Sequence, residues 1–197
     1  MICFLKRPYS KKSEGNNTGP FSRQTLSTLT VRVRPGHPSQ GLLNVDGLVF
    51  RCALGRGGVT SRKREGDGAT PLARMRILSG YFRRDCLSPG RTRLTMTPIA
   101  SDLGWCETPG DRNYNRPVRM PYAASHETMR RADRLYDACL VLDWNMLPRR
   151  RGRGSAIFMH LARPEFSPTQ GCVAVSRRVM MRLLPLLSSR TVLRIVR

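Results

Sequence analysis

Acidic side chains are scarce in this chain. Its 197 residues hold 13 Asp and Glu against 35 Lys and Arg, a formal net charge of +22. That balance excludes polycationic partners and points to polyanions, with binding that weakens as salt rises. Lysine is nearly missing too: only Lys6, Lys11, Lys12 and Lys63 occur, so the excess is arginine. Aromatic residues make up 7% and do not alternate with the basic ones, which argues against a base-stacking platform. Zinc-finger spacing and an aromatic RNA-recognition signature are also missing. The arginines run from Arg7 to Arg197, densest at Arg149-Arg150-Arg151-Gly152-Arg153. They read as a solvated basic surface, and no nucleic-acid partner is expected.

Long hydrophobic runs are missing as well. The longest cluster, Met180 to Leu187, is broken by Arg182 and Pro185, far short of the ~18 residues of a membrane span. At the N-terminus Ile2 to Leu5 follows no export-signal pattern, whose apolar core needs about 7–15 residues. Six cysteines stand at 3, 52, 86, 106, 139 and 172 without a Cys-x-x-Cys pair. That spacing fits neither a zinc site nor a disulfide framework, and most of them read as small buried hydrophobes. No metal and no cofactor is expected. Oligomeric state is not legible.

What is present is strand-forming. Residues 8–27, rich in Ser, Asn, Gly and Lys, read with the preceding residues as a flexible tail over 1–27. Leu29-Thr30-Val31-Arg32-Val33-Arg34 alternates with a period of two, a half-buried strand ended by Pro35-Gly36. Leu42–Asn44 and Leu48–Leu54 flank Asp46-Gly47 as a hairpin. Leu140–Leu142, Ala156–Met159 and Thr191–Val196 are further strands. Two helices are predicted. One spans 126–138, capped by Ser125, with Met129, Ala132, Leu135, Tyr136 and Cys139 along one face. The other, capped by Ser176, carries Val179, Met180, Leu183 and Leu184 and stops at Pro185. The expected fold is one mainly β domain with a few helices (α+β), a sheet or sandwich over 28–197.

Chemistry concentrates in 154–176, GSAIFMHLARPEFSPTQGCVAVS. His160 ends an apolar strand, and Gly171-Cys172 follows after ten intervening residues. A thiol becomes a nucleophile when an imidazole takes its proton. Glycine beside it permits a sharp turn with accessible amides, as an oxyanion hole requires. The plain alternative is a satisfied core histidine and a buried thiol.

Two blocks decide between these. Thr169-Gln170-Gly171-Cys172-Val173 downstream of His160 resembles the Ser/Thr-x-Gly-Cys signature of the L,D-transpeptidases, YkuD-like cysteine enzymes of bacterial peptidoglycan. Lys63-Arg64-Glu65-Gly66-Asp67-Gly68-Ala69-Thr70-Pro71 resembles that family's Lys-x-Glu-Gly-Asp-x-x-Thr-Pro turn, in the right order along the chain. The resemblance runs from about Leu29 to the C-terminus. It implies Cys172 as nucleophile, His160 as base and then acid, the Leu161 carbonyl as the group orienting the imidazole, and the Gly171 and Cys172 amides around the oxyanion. Arg163, Tyr114, Asn115, Arg116 and Gln170 are candidates for gripping a carboxylate-bearing stem peptide. For Glu65 and Asp67 a turn-forming role is the alternative.

The chain departs from the pattern at Gln170, where histidine is frequent, at Ala174, where arginine is frequent, and at Ala73-Arg74-Met75, where Gly-x-Phe is common. These positions bear on how the peptide is gripped. The resemblance implies peptidoglycan stem peptides as partner, the periplasm or cell envelope as location, and cross-linking of 3-3 or 1-3 type. Two further hypotheses stand beside it: a hydrolase on the same scaffold (an L,D-carboxypeptidase, or an amidase releasing wall-bound partners), and a non-catalytic basic protein that binds polyanions.

Overall fold

A computed structural model describes residues 25–197; most of the tail expected over 1–27, and Cys3, lie outside the described residues. The chain is mainly β. In order, the strands are β1 (Thr28–Arg34), β2 (His37–Val45), β3 (Leu48–Ala53), β4 (Val59–Thr60), β5 (Thr70–Pro71), β6 (Arg74–Phe82) and β7 (Met96–Pro98). They continue as β8 (Leu103–Cys106), β9 (Pro117–Arg119), β10 (His126–Thr128), β11 (Ala138–Leu142), β12 (Phe158–Leu161), β13 (Val173–Val175) and β14 (Val192–Val196). The main sheet runs β11-β12-β13-β3-β2-β1-β14-β6-β7, and β6 also pairs with β11. The first residues of β6 pair with β14 and its second half with β11, so the sheet closes on itself.

Alternation along the strands builds two cores. Leu29, Val31, Leu43, Val45, Ile77, Leu140, Leu142, Met159, Val173, Val175, Leu193 and Ile195 belong to the first, together with Val179, Met180 and Leu183 of α1 (Arg177–Leu183), the one α-helix among the described residues. Ser176 caps α1 by accepting from the Val179 amide at 3.3 Å, and a 3-10 turn carrying Pro185 follows. The intervening positions, Cys139, Val141, Phe158 and Cys172, face the other way. Over them lies a small sheet, β10-β8-β9, which adds Leu103 and Trp105; Met129 and Tyr136 of the following loop complete this second core. The Trp105 ring meets Phe158 edge to face at 5.1 Å. Two layers packed across one strand set are thus what the period-two pattern encodes.

The helix expected over 126–138 does not form. Residues His126–Thr128 pair with β8, and the chain then loops to β11, with Arg134 at φ 64. Ser125 donates to Glu107 at 2.7 Å instead of capping a helix. Met129, Tyr136 and Cys139 are buried as their spacing demanded, but strand pairing to β8 and ion pairs of the loop arginines satisfy the backbone and side chains better than a helical turn. No helix among the described residues is long and apolar enough to cross a membrane.

Candidate active site

His160 stands on β12, and Cys172 ends the turn that leads into the neighbouring parallel strand β13. The β12–β13 register sets His160 opposite Ala174 and Met159 opposite Val173. Side chains two apart share a face, so Cys172, Ala174, Phe158 and His160 all point to the outer side of the closed sheet. There Cys172, Ala174 and His160 line a groove of about 400 Å³ with Glu65, Glu107, Glu127, Arg131, Tyr136, Arg163 and Gln170.

The turn that carries the cysteine is braced from three directions. The Thr169 hydroxyl donates to the Cys172 carbonyl at 2.7 Å and accepts from the Gly171 amide at 3.1 Å. Thr169 is itself held by the end of β3, its amide donating to the Leu54 carbonyl at 2.9 Å and its carbonyl accepting from Arg56 at 2.8 Å. Thr70 adds a hydroxyl contact to the Cys172 carbonyl at 3.4 Å. Gly171 has φ 130, and a Cβ there would stand 2.9 Å from the Ala69 carbonyl oxygen. Only glycine fits that backbone against the 63–71 block. The block is rigid in turn: Asp67 accepts from the amides of Arg64 (2.7 Å) and Ala69 (2.9 Å) and pairs with buried Lys63. Partial burial opposes ionisation of Asp67, but the Lys63 ammonium and these amides outweigh it and hold the carboxyl below its usual range.

The imidazole is oriented by its own strand. Nδ1 of His160 lies 2.8 Å from the Leu161 carbonyl oxygen; a carbonyl only accepts, so the proton sits on Nδ1 and Nε2 carries the lone pair. Tyr136 packs edge-on against the ring at 5.2 Å. Burial pushes the His160 pKa down to about 4 against the Leu161 bond, and nearby Arg131 adds to the shift. Cys172 is shifted the opposite way. Burial raises its thiol to about 12, only partly offset by the Phe158 amide, which donates to Sγ at 3.3 Å. The thiol hydrogen goes to the Ala156 carbonyl at 3.2 Å, and no hydrogen bond joins Sγ to the imidazole. At neutral pH the resting pair is therefore uncharged, a thiol beside a neutral base.

The other candidates divide. Arg163 and Gln170 line the groove, and Arg163 pairs with Asp133 at 2.9 Å. Tyr114, Asn115 and Arg116 are not brought into it. Tyr114 is buried and donates its hydroxyl to Glu65, which also accepts from Ser155 at 2.9 Å; Arg116 is exposed outside the groove. Asn115 is buried with every polar atom engaged: Oδ1 accepts from Trp105 Nε1 and the Ala156 amide, both at 3.0 Å, while Nδ2 donates to the carbonyls of Trp144 and Asn145. It therefore fixes the residue whose carbonyl holds the thiol, without touching a ligand. Asn115→Ala strands buried donors and acceptors and should cost roughly 3 kcal/mol in urea unfolding. A loss below ~1 kcal/mol contradicts this positioning role.

Sequence reasoning missed the groove's charged wall. Arg131 pairs with Glu127 and Asp133 and lies 5.1 Å over the Tyr136 ring. Burial raises the Glu127 carboxyl against the pull of Arg131. These residues sit in the stretch read as a helix, whose period says nothing of their meeting at His160. Ala156 acts through a backbone carbonyl, which no side-chain pattern reveals.

Comparison with known protein families matches residues 38–195 to the L,D-transpeptidase (YkuD) catalytic domain. The chain belongs to that family. No curated protein and no solved structure matches it significantly. Membership in the L,D-transpeptidase family makes peptidoglycan the substrate class, and the match covers both the 63–71 block and the His160/Cys172 pair.

Proposed function

We propose that the protein is a peptidoglycan L,D-transpeptidase working in the cell envelope, with Cys172 as nucleophile and His160 as base. The observation that carries the reading is the shared groove: a thiol at the entry to β13 and an imidazole on β12 with a free Nε2, lining one groove on the same sheet face. Substrate entering the groove draws the thiol from the Ala156 carbonyl. Nε2 takes its proton as sulfur attacks the stem-peptide carbonyl, and the imidazolium then gives that proton to the departing amine as the C–N bond breaks. A thioester remains on Cys172. The amine of a neighbouring stem attacks it, loses its proton to Nε2, and leaves as the 3-3 or 1-3 cross-link while the thiol is restored. Carbonyl charge in each addition is met by backbone amides of the 171–172 turn; the Gly171 amide first exchanges its bond to Thr169. The groove carries both charge signs, Glu65, Glu107 and Glu127 against Arg131 and Arg163, which suits a peptide bearing ammonium and carboxylate groups.

Incubation with purified muropeptides, with products weighed by mass spectrometry, tests the reaction. Cross-linked dimers are expected, together with a carbapenem adduct on Cys172 and on no other cysteine. Monomers shortened by hydrolysis alone would instead make the protein a carboxypeptidase, and the lack of both product and adduct would remove the catalytic reading.

A further inference from the structure

Residues 144–153 form a loop whose apex is Leu147, 96% exposed; the other large hydrophobic residue this open to solvent among those described is Val49, at 57%. A single exposed leucine requires no explanation by itself. This one is held out by a stapled backbone. The Asn145 side chain accepts from the Arg150 amide at 2.7 Å and donates to the Arg150 and Gly154 carbonyls, each at 2.9 Å. Trp144 Nε1 donates to the Arg153 carbonyl at 2.8 Å. The base of the loop is thereby closed, with Leu147 inside the closed span.

Arginines 149, 150, 151 and 153 follow within six residues of the apex. Among the described residues none of their guanidinium groups is in an ion pair. Exposed Arg62 and Arg64 lie on the adjoining loop, which is joined to this one by the Glu65 amide on the Gly152 carbonyl at 2.9 Å. An exposed leucine followed closely by arginines outside any ion pair matches one surface chemistry, a bilayer with anionic headgroups: phosphates take the forked donors of arginine, and the leucine enters the interfacial layer.

We propose that loop 144–153 docks the protein on an anionic phospholipid surface, with Leu147 inserted and Arg149, Arg150, Arg151 and Arg153 on headgroup phosphates. Ser155 and Ala156, directly after the loop, line the catalytic groove, so docking sets one end of the groove beside the membrane. A soluble polyanion would use the arginines and leave Leu147 idle, and this difference decides the test.

The full chain is sedimented with vesicles of phosphatidylcholine alone and of phosphatidylcholine mixed with phosphatidylglycerol. Binding to the mixed vesicles only is expected. Leu147→Ser should weaken it roughly tenfold, and replacing the four arginines by glutamine should weaken it by roughly fivefold for each one. Leu147→Trp should shift its emission to the blue on the mixed vesicles. Absence of binding to mixed vesicles overturns the proposal. So does binding that Leu147→Ser leaves unchanged with no blue shift in Leu147→Trp, since the loop would then serve a soluble polyanion. Muropeptide turnover in solution is independent of these outcomes.

Discussion

Cys172→Ala should abolish turnover on muropeptides, to a level on the order of 10⁶-fold below the parent, while the protein stays folded. No other atom of the groove can form the thioester, and nucleophile and base act as one unit. The structural cost is small. The substitution removes two weak sulfur contacts, to the Ala156 carbonyl and from the Phe158 amide, and leaves a void of one sulfur atom, about 1–2 kcal/mol together. Cys52, Cys106 and Cys139 are buried and Cys86 is half-buried, and alanine at any of them should leave turnover within a few-fold. The resting thiol should also be slow with iodoacetamide at neutral pH, because burial places its ionisation near 12; the alkylation rate should climb about tenfold per pH unit. Appreciable turnover by Cys172→Ala, measured by mass spectrometry of the muropeptide products, ends the assignment.

The low thiolate content has a consequence for how the site works. A permanently charged thiolate–imidazolium pair is ready before substrate arrives; in the proposed mechanism the proton leaves sulfur only when the thiol turns from Ala156 toward Nε2. The position of the Ala156 carbonyl, fixed through Asn115, thus governs a step that neither member of the pair controls. Arg131 and Arg163 line the groove, and both pair with Asp133 behind it. Arg131 lies over Tyr136, and Tyr136 lies against His160.

Legibility from sequence followed the range of the interaction. Strands with one face in the first core, such as 28–34 and the 42–54 hairpin, were readable because alternation is local. Ser176 and Pro185 marked α1 for the same reason. Cys172, His160 and the 63–71 block were found because short motifs carry them. Residues 126–138 were misread: Met129, Tyr136 and Cys139 have helical spacing, yet their burial arises from strand pairing with β8 and from a loop turned at Arg134. Tyr114 and Asn115 were singled out for their polar groups, but those groups face inward to Glu65, Trp105 and Ala156. Polarity marks a residue that needs partners; whether they belong to a ligand or to the scaffold is settled by non-local packing.

The second large effect is expected at His160. His160→Gln keeps a polar side chain of similar reach but cannot carry a proton between thiol and amine, so kcat should fall roughly 10³–10⁴-fold. A separate signature comes from stability. In the unfolded chain the imidazole titrates near its ordinary 6.5, whereas in the folded protein burial holds it to about 4. Between these values the unfolded state binds the proton and the folded state does not, so stability falls as pH drops from 6.5 to 4. At ~1.4 kcal/mol per unit the full loss is roughly 3 kcal/mol. His160→Gln removes this slope. Asp67 and Asp133 are held below their usual range by Lys63 and Arg131, and their contributions are lost mainly below pH 4. Glu127, raised by burial, acts in the opposite direction within the window, but it does so in both proteins. Urea midpoints at pH 7 and pH 4.5 should therefore converge for His160→Gln far more than for the parent. Parallel pH dependence in the two proteins would mean that the imidazole binds its proton alike in the folded and unfolded states. Burial would then not hold it neutral down to pH 4, and the assignment of His160 as a buried neutral base would fall.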